Sequence, residues 1–139
     1  MKLSDLSRFS REALGTLLWS ESDVDENGNG VPFLDDAPGT RYESGADVPC
    51  EDFEWDEDGL DEFSRDCEGF LSDVIEAGLS HVLPADALAS DFALTRNGHG
   101  AGFWDRGLGE DGRKLTRMSE AYGTVGLYRG DGGKLHFHA

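Results

Sequence analysis

Positive charge is scarce in this sequence. Twelve lysines and arginines face 29 aspartates and glutamates, a formal balance of −17 over 139 residues. Such a chain repels phosphate backbones and anionic lipid, which argues against direct binding to nucleic acid or to an acidic membrane surface and favours basic partners. Long apolar runs are lacking too. No stretch approaches the roughly 18 residues of a membrane-spanning helix, and "MKLSDLSRFSREALG" has no uninterrupted apolar segment of the signal-peptide kind. We therefore expect a cytoplasmic protein without membrane association. The two cysteines, Cys50 and Cys67, form no CxxC and have no histidine at ligand spacing nearby. They read first as reduced thiols and second as a disulfide, not as a metal centre. No Walker-type glycine spacing is present, and no serine or cysteine stands out as a nucleophile. No catalytic residue, metal or cofactor is assigned.

What is present suffices for one domain spanning residues 1–139. Hydrophobic residues make up 37%, and three tryptophans, three tyrosines and eight phenylalanines can fill a core. Over residues 5–19, Leu6, Phe9, Ala13, Leu14, Leu17 and Leu18 fall on one stripe, with Ser4 as N-cap: an amphipathic helix. The periodicity then stops. Residues 20–59 form a long acidic, irregular segment, with room for one short element. Helical spacing returns over 60–77 through Leu60, Phe63, Cys67, Phe70, Leu71, Val74 and Ile75, and Gly78 follows as a C-cap glycine. "LPADALA" suggests a short helical turn with Pro84 near its start. "DFALT" (91–95) reads as a strand, and "AGFW" as the beginning of another. "RKLTRMSEAY" (113–122) reads as a helix closed by Gly123, and "TVGLYR" and "KLHFH" as a hairpin around Gly130-Asp131-Gly132-Gly133. The expected class is α+β: two main amphipathic helices and a third, shorter one packed on a small, mostly antiparallel sheet.

The charge is unevenly placed. Residues 1–90 hold 23 acids and five bases, a balance of −18, whereas residues 91–139 hold six acids and seven bases, a balance of +1. Twelve of the acids lie between Glu43 and Glu68, with Arg65 the one base and Phe53, Trp55 and Phe63 interleaved. One reading is a solvated acidic face anchored to the core by its aromatics. A second is a mimic of the phosphate backbone, for which dense carboxylates matter more than any motif. The residues that would carry it are Glu51, Asp52, Glu54, Asp56, Glu57, Asp58, Asp61 and Glu62. Adaptation to high salt is a third.

Two motifs remain. "DVDENGNGVPFL" (23–34) begins like a calcium-binding loop, but Leu34 stands where a bidentate glutamate belongs and Pro32 breaks the following helix. It reads as an Asx-rich turn. "TRNGHGAGFWDRG" (95–107) sets Arg96, His99, Asp105 and Arg106 among four glycines. Exposed amides and two guanidiniums on such a turn can hold a small anion, with His99 as proton carrier and Asp105 orienting it. The alternative is a tight turn with Phe103 and Trp104 in the core and Asp105 paired with an arginine.

The segment "DFALTRNGHGAGFWDRGLGEDGRKLTRMSEAYGTVGLYRGDGGKLH", together with "EALGTLLWSESDVDENG", resembles a family of small bacteriophage and prophage proteins. The family's recurring core reads approximately DFWLTRNGHGAGFWDRG, followed by a Leu-Thr helix and a GDDG-type hairpin. The likeness spans the first thirty residues and the last fifty. It implies a phage or prophage origin and action inside an infected bacterium, but no activity. Ala93 replaces the family's usual Trp, and Gly132 a common second Asp, which argues against a carboxylate metal site at the hairpin. The combined expectation is a phage-encoded accessory protein that binds a basic host protein of nucleic-acid handling or defence through its acidic face. The alternative is a small-anion-binding or catalytic protein using Arg96, His99, Asp105 and Arg106.

Overall fold

A computed structural model of the chain describes residues 1–20, 22–24, 30–32, 50–98, 102–130 and 133–138. Four α-helices are described: α1 (Arg8–Ser20), α2 (Glu57–Glu76), α3 (Ala85–Arg96) and α4 (Glu110–Glu120). Two antiparallel strand pairs accompany them, β1 (Ser22–Val24) with β2 (Gly30–Pro32), and β3 (Gly126–Arg129) with β4 (Leu135–His138). The architecture is α+β with little sheet. One hydrophobic core runs from Leu6 to Leu135.

The stripe of α1 buries Phe9, Ala13, Leu14, Leu17 and Leu18. Its cap is Ser7, not Ser4: the Ser10 amide donates to Ser7 Oγ at 3.2 Å, while Ser4 lies in a separate 3-10 turn, Leu3–Asp5. The side chain at the cap must accept from the third helical amide, and only Ser7 is placed to do so. In α2, Asp56 caps the start by accepting from the Gly59 amide at 3.1 Å, and Glu57 and Asp58 sit where the helix dipole favours anions. Leu60, Phe63, Cys67, Phe70 and Val74 face inward; Gly78, at φ +73°, ends the run.

The expected strand at 91–95 is a helix. Pro84 precedes Ala85, and α3 continues to Arg96 with every residue from Asp91 to Arg96 buried. A helix enclosed on nearly all sides carries no polar stripe, so the periodicity that marks amphipathic helices is absent from it. The helix packs most extensively on α1, where Thr16 Oγ1 bonds Ser90 Oγ at 2.8 Å. The expected second strand, at "AGFW", is also helical. Phe103–Arg106 forms a 3-10 turn that buries Phe103, where the tight-turn reading placed it, and leaves Trp104 exposed, which corrects the expected core position of Trp104 alone.

β3 and β4 pair from Gly126–His138 to Arg129–Leu135, as the hairpin composition suggested. β4 also takes a neighbour from far upstream. Leu135 donates to Glu54 O at 2.8 Å and Asp56 donates to Leu135 O at 2.9 Å, laying residues 54–56 parallel to it. This join carries Trp55 into the core and fixes the start of α2. Cys50 and Cys67 are both free and buried, and burial pushes their thiols up to about 11 and about 12. They are poor nucleophiles at neutral pH.

Candidate functional site

The outward face of α2 is a row of carboxylates. The helix carries Glu57, Asp58, Asp61, Glu62, Asp66, Glu68, Asp73 and Glu76, with Arg65 its one base. Four of these are engaged: Asp61 by Arg65, Asp66 by Arg96, Glu68 by the hydroxyls of Ser7 and Ser10, and Asp73 by the hydroxyl of Tyr122. Upstream, Glu51 pairs with Arg11, and His136 Nδ1 stands 3.8 Å from the Asp56 carboxylate. Glu54, Glu57, Asp58 and Glu62 are exposed, and their carboxylates meet no cation among the described residues. Of the acids expected to form this face, Glu51, Glu54, Asp56, Glu57, Asp58, Asp61 and Glu62 lie on it or at its edge. The Asp52 side chain, Glu43 and Asp47 lie outside what is described.

Among the described residues of the glycine-rich stretch, Arg96 and Arg106 are not gathered into one anion cradle. Arg96 and Arg106 turn to different acids. Arg106 binds Asp91 with both Nε and Nη2, the latter at 3.2 Å, and that hydrogen bond raises its pKa further. Asp91 and Arg96 are five residues apart on α3, about 140° around the helix at 3.6 residues per turn, so the two guanidiniums serve different faces. Asp105 is exposed, with neither Arg96 nor Arg106 as its partner. His99 lies outside the described residues.

Arg96 is instead a structural clasp. It is 4% exposed; Nε donates to Gly123 O at 2.8 Å, and Nη2 to Tyr122 O at 3.0 Å and Asp66 Oδ2 at 2.9 Å. Its Cζ lies 5.2 Å from the Phe92 ring centroid, and Nη1 has no hydrogen-bond partner among the described residues. Next to it, Asn97 exchanges two 2.8 Å bonds with the backbone of Val125. Helix α3 therefore holds the turn at 122–125 by side chains alone. Nothing in the sequence pattern announced Asp66, Tyr122 or Gly123 as partners of Arg96, since they lie 26 to 30 residues away.

Where this turn meets α2 and β4 there is a cavity of about 340 Å³. Phe63 and Phe137, stacked with centroids 5.5 Å apart, form an aromatic wall; Glu62, Asp66, Thr124 and His138 supply polar groups. Tyr122 borders it and donates from its hydroxyl to Asp73 at 2.8 Å. Burial, and then that hydrogen bond, push the phenol up from 10.0 to about 12. The sign follows: the unfolded chain loses this proton first, so stability present below pH 10 is lost as pH rises towards 12. We expect urea midpoints to fall over that window, and Tyr122→Phe to flatten part of the fall.

Among the described residues no group of three potential ligands is placed to hold a metal ion, and no helix is long and apolar enough to cross a membrane. Compared with models of protein families, with curated proteins and with solved structures, the chain matches none.

Proposed function

We propose that this chain is a phage- or prophage-type accessory protein that acts in the host cytoplasm by binding a basic host protein, one that handles nucleic acid or serves defence, through the face of α2. The observation that supports this reading is the linear density of charge. Twenty helical residues span about 30 Å at 1.5 Å each. Eight carboxylates over that length give one per about 4 Å, close to the one per about 3.4 Å of a single DNA strand. A rigid helix also spares the entropy that a disordered acidic tail would lose on binding. The alternative of a small-anion site at 95–107 has less support, since Arg96 and Arg106 each pair with an acid, Asp66 and Asp91.

The test uses the full chain as bait in a bacterial lysate. A basic, nucleic-acid-binding protein released only at high salt, and displaced by duplex DNA, is the expected result. Replacing Glu54, Glu57, Glu62 and Glu76 with Gln, and Asp58 and Asp61 with Asn, should weaken its retention about 100-fold, because this many interfacial charges set both encounter rate and affinity. Asp56, Asp66, Glu68 and Asp73 are left intact because they hold the fold. Unchanged retention by the six-fold variant overturns the reading.

A further inference from the structure

We propose that the cavity between α2, the 122–125 turn and β4 receives an arginine side chain of the partner. This rests on the acidic-face reading and adds to it a specific anchor point. The cavity, at about 340 Å³, has room for one extended side chain. Its chemistry is two-sided. Phe137, half-buried and backed by the buried ring of Phe63, presents ring surface suited to an alkyl stem and to the flat face of a guanidinium. Glu62 and Asp66, one helical turn apart on α2, present oxygen acceptors at its edge.

The charges already in the walls do not oppose this. Arg96 gives Nε and Nη2 to Asp66 Oδ2 and two backbone carbonyls, its buried Nη1 alone having no hydrogen-bond partner among the described residues, and Arg65 pairs with Asp61. What they leave is the Glu62 carboxylate and Asp66 Oδ1, neither of which accepts a hydrogen bond among the described residues. The clasp also fixes the Asp66 carboxylate while its side chain stays 37% exposed, so its second oxygen is preset for an incoming donor. A forked, planar donor can engage both carboxylates at once, which an ammonium on a flexible stem does less well. An anion would meet Glu62 and Asp66 first.

The experiment is a titration of the 15N-labelled full chain with N-acetyl-arginine N-methylamide, followed by amide shifts. Saturable changes confined to 59–66, 122–125 and 137–138 are expected, with millimolar affinity. The neutral isostere N-acetyl-citrulline N-methylamide should bind at least tenfold more weakly. Glu62→Gln should weaken the arginine probe about fivefold or more, whereas Glu57→Gln, on the same helix outside the cavity, should change it less than twofold. Equal binding of citrulline, equal loss from both variants, or shifts spread evenly from 57 to 76 would each overturn the pocket while leaving the acidic face intact. Failure of the six-fold variant to lose its partner would instead remove the acidic-face reading, whatever the probe does.

Discussion

Phe70→Ala should cost about 3–5 kcal/mol, the largest effect of any single substitution considered for this chain. Phe70 is fully buried, and its ring lies parallel to that of Phe92, with centroids 4.3 Å apart and 13° between planes. Phe103 stands 6.0 Å away and Phe9 6.5 Å. One side chain thus joins α1, α2, α3 and the 3-10 turn at 103–106, and truncation leaves a cavity that none of these can close alone. Against a typical domain stability of about 5–15 kcal/mol, that is a large share. A fall in Tm of about 10–20 °C by calorimetry is expected. Ile75→Ala, on the same helix but 58% exposed, serves as the control and should stay within about 0.5 kcal/mol. A loss at Phe70 as small as that at Ile75 would mean the ring stack is not the centre of the core.

Arg96→Leu comes next, with an expected cost of about 3 kcal/mol. The substitution strips donors from the carbonyls of Tyr122 and Gly123 and leaves Asp66 without its cation. Breaking a buried pair from one side costs about 3–5 kcal/mol, and the lower end applies because Asp66 can rehydrate through its exposed side. Asp66→Asn should cost less, about 1 kcal/mol, since the backbone carbonyls still hold the guanidinium. Chemical denaturation of both single variants and the double variant gives the coupling directly. The local signature is faster amide exchange at 122–125, where Asn97 alone would keep the turn in place. If exchange there is unchanged while global stability falls, Arg96 contributes through packing against Phe92 and not through the clasp.

The sequence announces the amphipathic parts of this fold and misses the enclosed one. α1, α2 and α4 each bury one stripe, so their 3.6-residue spacing is visible, and the last hairpin is marked by glycine flanked by alternating residues. α3 is buried almost all round, and Phe92 and Leu94, followed by β-branched Thr95, then resemble a strand. The acidic face was legible because charge needs no partner to be counted. The role of Arg96 was not, because it is defined by Asp66 and by carbonyls brought near only when α3 packs against the turn. A glycine-rich run containing Arg, His and Asp looks the same in sequence whether its cations face a ligand or are spent on the fold.

The pairing of Leu135 with Glu54 and Asp56 has a consequence for how the protein is made. At about 5–20 residues per second, a ribosome takes about 4–16 s to go from the first of these partners to the last. For much of that interval Trp55 and Phe63 have been made, but the strand that covers them has not been synthesised. The nascent chain then has its aromatics open and its carboxylates already on display, and the like charge of half-made copies opposes contact between those surfaces until the final strand arrives.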